Sequence, residues 1–318
     1  MILFSLPVHE RIDIINNQIQ NIFKYNPDSK IILHVNISYK DFDESIILKH
    51  PNVFINSKRF HYNPGKGLLW IHTQNFFEAI RLNINFEYFA LLASNEMFIR
   101  NGLYDYVKKN KNGIQLVEFN KENLWHNFHK NLENDDNMIN LLNRINLHKF
   151  YGGQAEGNFF EKNVFSQIVD IYINVYCSYK LKNANFYEKK VIYENGNFYE
   201  KKVIYDKEDN NIQNYINNNI ILDTIENEEI ILQTIFASLS IENYTIPFTL
   251  QNYTNHIDYT IEFINNLLNN KVTIQDNTHR AYFNVLRSPH IGKNVDTIFS
   301  IKKVDRTMNE LRLYLTNK

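Results

Sequence analysis

The chain has almost no cysteine: Cys177 stands alone among 318 residues. A single thiol closes no intrachain disulfide and builds no thiolate metal cage, which fits a reducing compartment. No stretch approaches the roughly 20 apolar residues of a membrane span, and the opening MILFSLPVHER lacks a basic n-region, its apolar part ending at Pro7-Val8. The expected location is therefore the cytoplasm, with the inner face of the membrane as the alternative and peripheral contact as the most that face would involve. Neither charge sign prevails. Lys+Arg 34 against Asp+Glu 35 leave a formal net charge of -1, so no overall field gathers nucleic acid. Several catalytic signatures are missing as well: HExxH, closely spaced His and Cys ligands, the G-x-S-x-G elbow, and the glycine spacings of phosphate loops. Standard hydrolase and metal readings fall away with them.

What is there is a large apolar content, 44% hydrophobic and 14% aromatic, enough to bury a sizeable core without staples. The first third alternates in the α/β manner. Ile2–Leu6 reads as a strand, and His9–Tyr25 carries Ile12, Ile15, Ile19, Ile22 and Phe23 at helical spacing. Lys30–Val35 is a second strand closed by Asn36, so the three segments form a βαβ unit. A short strand at Asn52–Ile55, the turn Asn63-Pro64-Gly65-Lys66-Gly67 and a helix from about Leu69 to Leu82 lead to Tyr88–Ala93. That last run is apolar throughout, as a central parallel strand should be, and then turns abruptly to Ser94-Asn95-Glu96. Ligands in open α/β sheets gather beyond such strand ends, which puts Glu96 where a substrate is expected.

The middle of the chain is less regular. The nine residues Asn185–Tyr193 recur letter for letter at Asn197–Tyr205, with Glu194-Asn195-Gly196 between them. The Asn-Gly pair between two Val-Ile-Tyr runs predicts a surface hairpin within a peripheral insertion near 183–206. Helices are expected over Asp223–Ser240, Tyr259–Asn269 and Arg306–Leu315. Cys177 lies in an aromatic run where packing is expected rather than reactivity. His126 and His129, in an aromatic stretch, are expected as surface or packed residues, with an acceptor-site lining as the alternative.

Two features carry chemistry. Acidic residues crowd the start of the apolar segment Ile225–Leu239, where the positive end of a helix macrodipole stabilises them. That accounts for Glu226 and Glu228 on structural grounds alone. A carboxylate there that also faces a cleft is placed to act as a general base toward a hydroxyl. The second is Ser300-Ile301-Lys302-Lys303-Val304-Asp305-Arg306. Its paired lysines are either simply solvated or placed to neutralise a diphosphate leaving group.

Taken in order, several stretches resemble the core-2/I-branching N-acetylglucosaminyltransferases with their xylosyltransferase and bacterial relatives. They are Pro7-Val8-His9-Glu10, Leu33-His34-Val35-Asn36, the helix Gly67–Ile80, Leu92-Ala93-Ser94-Asn95-Glu96-Met97-Phe98-Ile99, Tyr151-Gly152-Gly153-Gln154, Glu228-Glu229-x4-Thr234 and Lys302-Lys303-Val304-Asp305. The resemblance covers most of the chain except the insertion, and rests on the order and spacing of the motifs. It implies a single GT-A-type domain over 1–318: an open, mostly parallel sheet flanked by helices, with a nucleotide-binding half at 1–110 and an acceptor and catalytic half at 111–318. It implies an inverting transfer from a nucleotide sugar, usually a UDP-sugar, to a hydroxyl of a bacterial surface glycan such as a capsule or lipooligosaccharide, with lipid-linked acceptors included. No metal and no other cofactor is implied.

The resemblance also assigns roles. Glu229 takes the place of the catalytic glutamate, with Glu228 as the fallback. Val8, His9, Val35 and Asn36 fall where relatives bind base and ribose. Lys302 and Lys303 match the basic pair on the diphosphate, joined by Arg280 or Arg287, of which Arg280 is favoured. Glu96 takes the acidic position near the donor sugar. Asn36 departs from the usual Asp, Lys66 from a frequent Trp, and Gly152-Gly153-Gln154-Ala155-Glu156 lacks an expected aromatic. The alternatives are a non-catalytic glycan- or partner-binding protein on the same fold, and a metal-dependent GT-A transferase.

Overall fold

The computed structural model describes residues 1–40, 42–60, 62, 67–119, 132, 134–177, 229–251, 259–271, 290 and 295–317, together with the backbone of two short strands at 191–194 and 197–200. Its centre is a five-stranded sheet. β1 (Ile2–Val8) leads through α1 (Ile12–Tyr25) to β2 (Lys30–Val35), then β3 (Val53–Ile55), α2 (Leu68–Arg81) and β4 (Tyr88–Leu91). The order is β3-β2-β1-β4-β8, with β8 (Phe159–Glu161) antiparallel on β4 and all other neighbours parallel. The protein is a mixed α/β fold with a mostly parallel sheet flanked by helices, as the alternation in the sequence predicts.

Sheet order and handedness together place the crevice. From β1 the chain steps outward to β2 and β3, then returns to lay β4 on the other side of β1. A right-handed crossover in each direction puts the two connecting helices on opposite faces. The burial pattern agrees. Phe4, Leu6, Leu33 and Ala90 pack with Ile15, Ile19 and Ile22 of α1, while Leu3, Ile32, Phe89 and Leu91 pack with Leu69, Ile71 and Phe76 of α2. Because the two helices diverge to opposite faces at the β1–β4 boundary, a crevice opens beyond the carboxyl ends of these strands.

Beyond β4 the chain forms β5 (Glu96–Phe98), α3 (Leu103–Asn110), β6 (Val117–Glu118), α4 (Asp136–Arg144) and β7 (Tyr151–Gly152), the last pairing with β6. α5 (Lys162–Ile171) follows β8. The strands β9 (Val191–Glu194) and β10 (Asn197–Glu200) pair antiparallel, Glu194 opposite Asn197, so the repeated segment makes the hairpin its sequence predicts. α6 (Ile231–Ser238), β11 (Thr249–Leu250), α7 (Ile261–Leu268), β12 (Ser300–Lys302) and α8 (Glu310–Asn317) complete the chain. A second sheet, β11-β12-β5, abuts the first, with Glu96 opposite Lys302.

Of the helix expected over Asp223–Ser240, residues 223–228 lie outside the described residues; Glu229 and Ile230 form a turn and the helix runs from Ile231. The helix predicted from Arg306 starts at Glu310. The Asp305 carboxylate accepts from the Thr307 amide and hydroxyl, which closes a local turn, and Asn309 accepts from the Arg312 amide as a helix cap. No helix of the described residues is long and apolar enough to cross a membrane.

Candidate functional site

A cavity of about 130 Å³ lies at the β1–β4 crevice. Pro7 and His9 reach it from the end of β1, Leu91 to Asn95 from β4 and the turn after it, and Leu68 and His72 from the first turns of α2. Tyr62, Ala155 and Glu156 add to the wall, and Glu229, Lys302 and Arg306 bring charge from the far end of the chain.

One buried carboxylate ties three of these segments together. Glu10, just past β1, receives the Ser94 hydroxyl at 2.5 Å and stands 3.4 Å from Arg306 Nε and 3.3 Å from His9 Nε2. Its own side chain is only 2% exposed, so it acts as a fixed anchor for a cation that is itself 47% exposed at the mouth. The loop carrying Arg306 is held a second way, by the Val304 amide on the Asn95 carbonyl. A third hold comes from Arg312, wholly buried, whose Nε donates to the Asp305 carbonyl at 2.5 Å. Within this loop Lys303 has φ 72, left-handed backbone that a non-glycine residue adopts only under tertiary constraint.

The lysines are packed among acids. Lys302 forms an ion pair with Glu156, both largely buried. Lys303 is exposed, yet desolvation pushes its pKa down, Lys302 adds to this, and Glu156 and Glu229 oppose it. His9 is likewise held below its ordinary value, chiefly by burial and further by Arg306, with Glu10 pulling the other way. Its ring stands edge-on to Tyr62, 6.1 Å between centroids.

Glu229 lines the cavity, and its carbonyl accepts from the Gly153 amide at 3.0 Å, which seats the turn before α6 against β7. Gly153 has no room for a side chain, since a Cβ there would fall 2.2 Å from the Gln115 carbonyl oxygen. Glycine at this point therefore lets the backbone approach close enough to position Glu229.

Of the residues singled out in the sequence, His9, Glu229 and Lys302 line the cavity together. Val8 and Val35 are buried in the sheet core. Asn36 is buried with its amide spent on the Tyr62 carbonyl and on Ser38. Glu96 does not line the cavity: Ser94 and Asn95 do, while the Glu96 carboxylate turns toward Thr249 and Ser300. Burial raises its pKa to about 7 against the opposing pull of the Ser300, Thr249 and Ala93 hydrogen bonds, with Glu156 adding to the rise. Glu228, Arg280, Arg287, Lys66 and residues 124–129 lie outside the described residues.

Sequence reasoning missed Tyr62, His72 and Arg306 as cavity residues and Glu10 as the buried anchor behind them. Arg306 had a signal, in its place after the lysine pair. Glu10 had one in its position at the end of the first strand, whereas Tyr62 and His72 read as ordinary core. Among the described residues no group of three or more His, Cys, Asp or Glu is arranged to hold a metal ion.

No family model matches the chain, and no curated protein matches it. Among solved structures, a crystal structure of an active-site mutant of LgtC is similar to it over 99% of this chain and 94% of that one, at 8% identity and a TM-score of 0.38. That likeness is too distant to carry a residue's role across.

Proposed function

We propose that the protein is a metal-independent, inverting glycosyltransferase of GT-A type, moving a sugar from a nucleotide-sugar donor, a UDP-sugar by preference, to a hydroxyl of a bacterial surface glycan. The observation that carries this is the meeting of Glu229 with Lys302 and Arg306 in one cavity beyond the β1–β4 strand ends. A single displacement needs these two kinds of group: a base for the incoming alcohol and fixed positive charge for the outgoing diphosphate.

In this reading the donor's nucleotide lies over the ends of β1 and β2, where His9 offers a ring at the cavity wall and Val8, Val35 and Asn36 shape the strand ends. Lys302 and Lys303, with Arg306 and a guanidinium from Arg280, face the diphosphate. Glu229 takes the acceptor's proton as its oxygen attacks the anomeric carbon, and the bond from that carbon to the diphosphate oxygen breaks with both electrons leaving on the diphosphate. Lys302 is set by Glu156 and Arg306 by Glu10, and the Arg312 contact to the Asp305 carbonyl holds the loop that carries them, so little reorganisation is required when charge develops. Glu96 serves the donor sugar through the Ser94-Asn95 turn that it follows.

A second reading rests on the charge balance. Among the described residues, Lys302, Lys303 and Arg306 stand against Glu10, Glu156 and Glu229 in and around the cavity. A balanced cavity of this kind also suits a neutral glycan held without turnover. Hydrolysis of a panel of UDP-, GDP- and CMP-sugars in EDTA separates the readings: release of nucleotide diphosphate supports the enzyme. Thermal stabilisation by an oligosaccharide, with no nucleotide effect and no hydrolysis, supports the binding protein.

A further inference from the structure

His72 lies on α2 with Ser5 of β1 below it, and its ring is buried at the cavity wall. A chain of polar side chains runs from it into the α2 face of the sheet, and backbone groups decide the direction of its links as far as Ser5. Asn56 Oδ1 accepts from the Lys58 amide at 2.9 Å, so its Nδ2 is the atom that donates to Asn75 Oδ1, also at 2.9 Å. Asn75 Nδ2 then faces the Ile32 carbonyl at 3.2 Å, which can only accept, and the Ser5 hydroxyl at 2.9 Å. Ser5 Oγ therefore receives one hydrogen bond and has a single proton of its own to give. Its remaining neighbour is His72 Nδ1 at 2.7 Å.

An imidazole nitrogen that accepts is unprotonated, and in the neutral ring the proton must sit on the other nitrogen. Nε2 has no hydrogen-bond partner among the described residues. Nor is it among the sealed polar atoms that lack one, as the Tyr62 hydroxyl in the same wall is. Around them the wall is apolar, with Leu68, Leu91 and Leu92. We propose that His72 is a ligand-binding residue, held by Asn56, Asn75 and Ser5 as the Nε2–H tautomer, and that it donates a hydrogen bond to an uncharged oxygen of the bound molecule.

Burial, with a smaller contribution from His34, drives the His72 pKa to about 3, so the ring stays neutral at any physiological pH and presents a dipole rather than a charge. The groups packed against it agree: Ser5 and Asn75 are uncharged, and His34 is itself held near 3 by burial and by Arg59. A neutral N–H donor matches a carbonyl or hydroxyl oxygen better than a phosphate, which Lys302 and Arg306 suit. Resting on the nucleotide-sugar reading, the oxygen belongs either to the base or to the transferred sugar.

Two measurements test this. In apo protein with 15N-labelled histidine, long-range proton–nitrogen spectra should show His72 as the Nε2–H tautomer, unchanged between about pH 5 and 8. An Nδ1–H pattern, or titration in that range, overturns the assignment without any ligand. Calorimetric binding of UDP, uridine and UDP-sugars then reads the second half. His72→Asn keeps a polar group at Ser5 and removes the cavity donor, so affinity should fall roughly three- to tenfold, the worth of a neutral hydrogen bond. His72→Gln reaches the Nε2 position and should retain most of it. A loss seen with uridine places the oxygen on the base, and a loss confined to UDP-sugars places it on the sugar. Folded His72→Asn protein binding every ligand like wild type overturns the proposal. Wild-type protein that binds none of them overturns the nucleotide-sugar reading and the ligand half with it, while the tautomer stands or falls on the spectrum. Ser5→Ala should leave a mixture of tautomers, an effect that loss of packing alone would not produce.

Discussion

Ser300 Oγ lies 2.5 Å from Glu96 Oε1, and Thr249 Oγ1 closes a triangle with both, 2.6 Å from the carboxylate oxygen and 2.8 Å from the serine hydroxyl. Each corner comes from a different strand of the second sheet: β5, β11 and β12. Three short oxygen contacts call for three protons, and the two hydroxyls supply only two. An ionised Glu96 would leave one edge with lone pairs facing each other, whereas a protonated carboxyl supplies the third hydrogen and completes the ring. Burial acts in the same direction, with the pKa raised to about 7.

This ring makes stability depend on pH in a defined sense. The folded carboxyl keeps its proton up to about pH 7, while an unfolded glutamic acid loses it near pH 4.3. Glu96's contribution is therefore complete below about pH 4, declines as pH rises between the two values, and is gone above about pH 7. At about 1.4 kcal/mol per unit it amounts to at most roughly 4 kcal/mol. Glu96→Gln keeps an acceptor for the Ala93 amide and offers N–H donors to the hydroxyls, so its urea midpoint should lack this decline. Identical pH profiles for the two proteins would count against the protonated ring.

Glu229→Gln should abolish turnover while sparing donor binding. A positioned general base contributes typically 10²- to 10⁴-fold, so kcat is expected to drop by at least about a hundredfold. Affinity for UDP should stay within roughly twofold of wild type. Full turnover in this variant would remove Glu229 from the role of base.

Lys302→Met removes a cation from the cavity and breaks the Lys302–Glu156 ion pair. A charge-assisted contact is worth about 1.5–3 kcal/mol, so UDP should bind roughly ten- to a hundredfold more weakly. Uridine, which has no phosphate, should be affected far less. Titration calorimetry with both ligands checks the difference, and equal losses would point to a general disturbance of the cavity.

Arg312→Met should loosen the loop that carries Lys302, Lys303 and Arg306. Its guanidinium is buried, bonded to the Asp305 carbonyl and in contact with Asn17 and Met97. Losing those links without losing volume should destabilise the protein by about 1–3 kcal/mol. Donor KM should rise more than kcat falls, because the chemical groups remain and only their placement suffers. Chemical unfolding and steady-state kinetics on one preparation read both effects.

The alternation of apolar runs and helical periodicity in the first 110 residues was sufficient to predict the βαβ unit, the helix that became α2 and the central strand β4, expected over Tyr88–Ala93 and found over Tyr88–Leu91. Strand and helix periods are local properties, set by which side of an element faces the core, and these elements are buried on strongly apolar faces. The Asn-Gly hairpin was legible for the same reason, being encoded by adjacent residues. Lys302 was legible as a candidate because paired lysines are a local pattern too, whereas Glu229 was singled out only through the family resemblance. Helix starts were not: whether a helix begins at Arg306 or Glu310 turns on Asp305 and Asn309 each capturing a backbone amide. Which way Glu96 faces was also beyond the sequence, since its partners Thr249 and Ser300 lie 153 and 204 residues away. Nor does any local signal distinguish His72 or Tyr62 from core residues. Their roles depend on long-range hydrogen bonds and on the reversal of strand order that opens a crevice beside β1, and only the packed tertiary structure brings those together.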